Sequence, residues 1–136
     1  MLLQVDDIHV SYGAIQAVQG ISFGIEQGEI VTLIGANGAG KSTTLRTISG
    51  LLRPTAGDIC YQDRSIIKTS PESIVKLGIS QVPEGRQIFG GLTVRENLEM
   101  GAYTRKDRRE IENSMERVFT SFPRLKERLK QKGGTL

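Results

Sequence analysis

Sulfur chemistry is nearly absent from this chain. Cys60 is the only cysteine among 136 residues, which excludes an internal disulfide and leaves no cysteine-based metal site. It stands in GDICY (57–61), a short strand-like run where a small buried side chain is the expected role. Long apolar runs are missing too. None approaches the roughly 18 residues that a membrane span requires, and the opening MLLQVDD lacks the basic start and long apolar stretch of a signal peptide. These absences predict a cytoplasmic chain that meets a membrane only through a partner. Charge is nearly balanced, with 18 basic against 15 acidic residues and a net charge of +3. A nucleic-acid reader concentrates its charge on one stripe. The one basic cluster here, Arg105, Lys106, Arg108 and Arg109, is interrupted by Asp107 and followed by Glu110, and reads as a solvated helix start. No repeat or low-complexity tract is visible.

What remains is a chain long enough for one domain with a genuine core, whose 38% hydrophobic and 24% charged residues are those of a globular protein. The first 35 residues predict β structure. Leu3, Val5, Ile8 and Val10 are apolar around Asp6 and Asp7, and Ile21, Phe23 and Ile25 alternate with Ser22 and Gly24, the period of a half-buried strand. EQGE supplies a turn at Gly28. IVTLI (30–34) is nearly continuous in apolar residues and predicts a central strand buried on both faces. Leu45, Ile48 and Leu52 then recur at helical spacing. After Pro54, TAGDICYQDRSI returns to strand and turn, with Gln62 and Asp63 as the bend. SPESIVKLG predicts a short helix capped by Ser70, begun by Pro71 and stopped by Gly78, and ISQVP a short strand ended by Pro83. Past the loop EGRQIFGG, Thr93 and Glu96 have capping-box spacing and open a helix to about Met100. Asp107 and Glu110 open another, with Ile111, Met115, Val118, Phe119 and Phe122 along one stripe. Pro123 precedes a last short amphipathic helix in RLKERLKQK. That stripe could in principle line a cofactor, but such residues at helical spacing are far more often core.

The stretch between strand and helix carries the chemistry. Gly35-Ala36-Asn37-Gly38-Ala39-Gly40-Lys41-Ser42 fits G-x-x-x-x-G-K-[ST] at every fixed position. Glycine adopts positive φ at little cost and has no Cβ to hold a ligand away, so the amides can curl into an anion-binding nest. The helix that follows adds unpaired amides and the positive end of its dipole. Lys41 is placed to reach the β- and γ-phosphates of a nucleotide and Ser42 to ligate Mg²⁺, with Thr43 as a further phosphate contact. A glycine-rich turn that merely precedes a helix is the structural alternative. An apolar strand before the loop and an amphipathic helix after it favour phosphate binding.

VSYGAIQAVQGISFGIEQGEIVTLIGANGAGKSTTLRTISGLLRPTAGDI resembles the N-terminal half of an ATP-binding-cassette (ABC) transporter ATPase, and VPEGRQIFGGLTVRENLEMGAY is similar to its branched-chain amino-acid uptake branch. The resemblance covers essentially the whole chain. It implies an α/β P-loop NTPase fold of the ABC type: a β-rich N-terminal subdomain, an incomplete core sheet and part of a helical subdomain. One truncated nucleotide-binding domain would then span 1–136, with the core portion at 1–84 and the helical portion at 85–136. Tyr12 matches the family's adenine-stacking aromatic; without the resemblance, a tyrosine after a strand is more often partial core. Val18 matches the segment packed near the base, and Gly35 to Thr43 match the phosphate loop. Aligning GISQVPEG on the family's glutamine loop puts Glu84 at the usual glutamine position and leaves Gln81 within the strand. Glu84 would then touch Mg²⁺ and the attacking water, as the branched-chain branch allows. A solvated loop carboxylate is the alternative.

The resemblance also implies partners: a membrane permease, met through about 85–104 with the loop Arg86–Gly91 foremost, and a second ATP-binding subunit. The place implied is the inner face of the cell membrane, and the cofactors are ATP and Mg²⁺. Against the family pattern, GGTL (133–136) leads towards the signature motif without containing it. After the phosphate loop no run of four apolar residues ends in Asp, and the switch histidine is missing, since His9 lies in an early strand. The 136 residues are therefore expected to bind ATP better than they hydrolyse it. A nucleotide-binding or self-associating module without a transport role, and a nucleic-acid-associated ABC ATPase, are the alternatives; Glu84 and LTVRENL favour transport.

Overall fold

Leu3, Val5, Ile8 and Val10 cannot share one face of an unbroken strand, because the step from 5 to 8 is odd. All four are nevertheless buried. The computed structural model, which describes residues 1–38 and 40–136, resolves the conflict with a bulge. In β1 (Leu3–Tyr12) Asp7 takes φ 44°, and the pairing with β2 (Ile15–Ile25) jumps from Val5↔Phe23 to Ile8↔Ile21. One extra residue in β1 returns the second apolar pair to the core face. The Ser22 hydroxyl accepts a 2.8 Å hydrogen bond from the displaced Asp7 amide. Opposite the bulge, a Cβ on Gly57 would run into the Asp7 carbonyl, so glycine is required there.

The chain divides into two compact units, Met1–Val82 and Pro83–Leu136. The first holds a four-stranded antiparallel sheet in the order β2-β1-β3-β4, with β3 at Ala56–Tyr61 and β4 at Arg64–Ser65. Gln62 and Asp63 form the bend between the last two, at φ 48° and 64°, the left-handed pair that a two-residue hairpin turn demands. The strand side chains pack with Ile48 of α1 (Lys41–Ile48), Ile66, and Ile74 of α2 (Pro71–Leu77) into one core. Ser70 caps α2 and Pro71 opens it, while Gly78 ends it at φ 110°, as the sequence predicts.

Two predicted strands do not form. IVTLI lies outside every strand, with Ile30 94% and Ile34 93% exposed, and ISQVP is likewise unpaired, with Val82 93% exposed. Strand preference reflects packing against neighbours more than an intrinsic backbone bias. Among the described residues the sheet contains no strand that pairs with either segment. The face of α1 also differs from the prediction. Ile48 is buried and Leu52 packs partly buried against the core as predicted, but Leu45 is exposed, and Thr44 and Thr47 are buried in its place. Both threonine hydroxyls donate to the carbonyls four residues back, Gly40 and Thr43, which removes the cost of burying them.

The second unit begins with a loop and then α3 (Val94–Met100), whose Thr93–Glu96 capping box is complete. Asp107 caps α4 (Arg108–Ser121), so the basic cluster does lie at a helix start. Phe119 is the buried residue of the α4 stripe, whereas Phe122 turns out to be exposed at the helix end. Pro123 opens α5 (Pro123–Glu127). The chain end returns beside α3 through Arg95 N–H to Leu129 O (3.0 Å) and Val94 N–H to Gln131 O (2.8 Å). Among the described residues no helix is long and apolar enough to cross a membrane.

Candidate nucleotide-binding site

The first unit gathers most of the residues singled out in the sequence. Asn37 and Gly38 turn the chain, and Gly38 and Gly40 hold φ 85° and 91°. α2, α3 and α4 each begin on a side-chain cap. α1 begins on Gly40 with none and carries no acidic residue in its first turn, as is also the case for α5, but of these two only α1 follows a glycine loop. Such a start presents amide donors and the positive dipole end to an anion. The Lys41 ammonium donates to the Gly35 carbonyl, so its side chain folds back along the loop and joins the loop's two ends. Ser42 is exposed in the first turn of α1. Ala39 lies outside the described residues.

Gly40 also fixes the loop against the sheet. A Cβ there would stand 2.7 Å from the Ala17 carbonyl oxygen and 3.0 Å from Val18 Cγ2. Thr44, directly below, closes the turn by donating from both its amide (2.9 Å) and its hydroxyl (2.8 Å) to the Gly40 carbonyl. A cavity of about 380 Å³ opens beside this contact, lined by Gln16, Val18, Gly20, Gly38 and Thr44 among others. That volume falls within the small-molecule range.

Tyr12, at the end of β1 and 43% exposed, shares a 3.3 Å hydrogen bond between its hydroxyl and Thr43 Oγ1. An aromatic ring is thereby tied to the first turn of the phosphate-loop helix. Glu84 belongs to the second unit. Among the described residues no group of three or more His, Cys, Asp or Glu side chains could hold a metal ion.

The sequence profile described as ABC transporter matches residues 18–136. The chain belongs to the ABC transporter family. It is 45% identical over 136 residues to the high-affinity branched-chain amino acid transport ATP-binding protein BraG of Pseudomonas aeruginosa, covering 99% of this chain and 58% of that one. It is 32% identical to the probable branched-chain amino acid transport ATP-binding protein LivF of Archaeoglobus fulgidus, covering 99% and 57%. The chain thus spans little more than half the length of these curated relatives. Among solved structures, the ATP-binding subunit of an ABC transporter matches with a TM-score of 0.84 at 32% identity, over 97% of this chain and 54% of that one. The ADP conformation of an ATP-binding cassette matches with a TM-score of 0.82 at 25% identity, over 99% and 58%. The expected ABC-type α/β fold and the branched-chain resemblance are both borne out.

Several contributors to the site were not singled out in the sequence. Thr44 is polar and gives no periodic signal, yet it is the buried residue that braces Gly40. Ala17 contributes a backbone carbonyl, which no residue pattern reveals. Away from the site, at the opposite end of α1, Gln81, predicted as part of a strand, accepts a 2.6 Å hydrogen bond from the Ser49 hydroxyl.

Proposed function

We propose that this chain is the nucleotide-binding part of an ATP-binding subunit that powers uptake of branched-chain amino acids, and that residues 35–43 hold Mg²⁺–ATP. The observation that carries the reading is the uncapped start of α1 behind a glycine loop, with Lys41 folded along it and Tyr12 tied to Thr43. Amides of the loop, with Gly35, Asn37, Gly38, Ala39 and Gly40, would cradle the phosphates. Lys41 would exchange the Gly35 carbonyl for phosphate oxygens. Tyr12 would stack on the base, a contact that tolerates either purine, with Val18 beside it. Ser42, together with Glu84, would hold Mg²⁺, which when bound neutralises charge on the phosphates. Glu84 would also orient the attacking water. Transport is favoured as the purpose by the two branched-chain relatives.

The division of labour we infer gives nucleotide to 1–84 and partner contacts to 85–136. The permease would dock on the region 85–104, through the exposed Ile88 and Phe89, at the inner face of the membrane. A second ATP-binding subunit would complete the assembly. A photo-reactive residue at position 89, activated in the native cells, tests this part. Cross-linking to an integral membrane protein is expected. Cross-linking to nucleic acid would favour the alternative reading as a nucleic-acid-associated ATPase.

A further inference from the structure

Asn97 makes more side-chain hydrogen bonds to backbone than one helix surface position needs. Its carbonyl accepts from the Phe89 amide at 2.9 Å. Its two amide hydrogens donate to Phe89 O at 3.0 Å and Thr93 O at 2.9 Å, with Leu92 O at 3.4 Å as a shared, longer contact. The carboxamide thus pairs with Phe89 as a neighbouring strand would, engaging both backbone groups of one residue. The same loop is held from its other side by the end of the chain. Gly133 N–H donates to Leu92 O (2.8 Å), Gly134 N–H to Gly90 O (3.2 Å), and an Arg86 guanidinium nitrogen to Leu136 O (3.3 Å).

The two clamps meet at Gly133. A Cβ there would stand 3.0 Å from Asn97 Nδ2, 3.3 Å from Ile88 Cδ1 and 3.3 Å from Phe89 O. Ile88 and Phe89 keep their side chains about half exposed although the Phe89 backbone is held through both its N–H and its C=O. A loop held by its main chain while presenting two large apolar side chains is ordered for contact.

We propose that Asn97 is a positioning residue: its carboxamide locks the 86–92 loop to the 133–136 segment as one body and so aims Ile88 and Phe89 at the partner. The partner-facing consequence rests on the permease reading above; the lock does not.

The lock is tested by amide exchange on the 136-residue chain carrying Asn97→Ala, Asn97→Asp or, as control, Arg95→Ala. Asn97→Asp keeps the shape and the acceptor for the Phe89 amide, and loses the donated bonds. Protection at Gly133 and Gly134 is expected to fall together, about tenfold, in both Asn97 variants, and at Phe89 also in Asn97→Ala, as loss of net hydrogen bonding implies. It should hold in the Arg95 variant, which loses only the exposed pair with Glu99. Wild-type protection at all three amides in Asn97→Ala would show that the residue does not hold the loop, and unchanged Gly133 and Gly134 in both variants would show that the two segments are not joined; either overturns the proposal. The positioning role is tested by cross-linking from position 88 in native cells, where the yield to a membrane protein should fall about fivefold in Asn97→Asp. An undiminished yield would overturn it. Coupled exchange with no cross-link in either protein would leave the lock standing and remove the permease reading.

Discussion

The Tyr12 hydroxyl and Thr43 Oγ1 lie 3.3 Å apart, joining residues 31 positions distant in the sequence. One sits at the end of β1 and the other in the first turn of α1. The bond sets the ring's distance from the phosphate loop, which a base-stacking side chain requires if ring and phosphates are to engage one nucleotide.

If Tyr12 stacks on the base as proposed, its ring and its hydroxyl have separable roles. Tyr12→Ala removes the stacking surface, worth about 1–3 kcal/mol per base, and should weaken ATP binding about tenfold. Tyr12→Phe keeps the ring, loses only the bond to Thr43, and should weaken binding less than about threefold. Titration calorimetry on both variants checks this. Equal losses would assign the effect to the hydroxyl.

Two glycines of the loop should respond differently to alanine. Gly40 has positive φ and a Cβ would meet the Ala17 carbonyl at 2.7 Å. Gly40→Ala should therefore destabilise the first unit, by about 1–3 kcal/mol, the range for a strained backbone residue. Gly38 has positive φ but open space around it. Gly38→Ala should cost about 1 kcal/mol and act chiefly by holding phosphate away. Denaturant unfolding and nucleotide titration on the same two variants separate stability from affinity.

Stability should carry a signature from Asp58. The Ser65 hydroxyl hydrogen bond, aided by Cys60 and the Ile59 amide and opposed by desolvation, holds its carboxyl below the usual value. A group depressed in the folded state contributes stability above its unfolded pKa, about 3.9 for aspartate. That contribution is lost as pH falls through the lower folded value. Ser65→Ala should reduce stability at neutral pH and flatten the loss below about pH 4, read from unfolding curves between pH 2 and 7.

Turnover by the 136 residues alone should be negligible. On the proposed function, turnover would need a second acid for Mg²⁺, and no run of four apolar residues ending in Asp follows the phosphate loop within these residues. Phosphate release should match that of Lys41→Ala. Robust release that disappears with Lys41→Ala would contradict this.

Much of the fold was legible because it is local. The caps at Ser70, Thr93 and Asp107 and the bend at Gln62–Asp63 depend on residues within one turn, and each forms where its sequence places it. The four apolar residues of β1 were legible as core, but the bulge was not read from them, although an odd step between buried positions requires one. Residues 30–34 misled because apolar, β-branched character says what a strand would bury and nothing of whether neighbours pair with it. At the site, glycine spacing exposed the loop, since positive φ and missing side chains mark the sequence directly. The brace at Thr44 and the clamp at Asn97 left no such mark. Both act on backbone groups, which every residue shares, and only the fold decides which ones come within reach.

The central claim is that Gly35 to Thr43 form a nucleotide phosphate cradle in which Lys41 supplies the charge. Calorimetric titration of Mg²⁺–ATP into this chain and into Lys41→Ala tests it most directly. A hydrogen bond to a charged group contributes about 1.5–3 kcal/mol, so binding to the parent chain should weaken about 10- to 150-fold in the variant. Equal affinity in the two proteins would contradict the assignment of the loop.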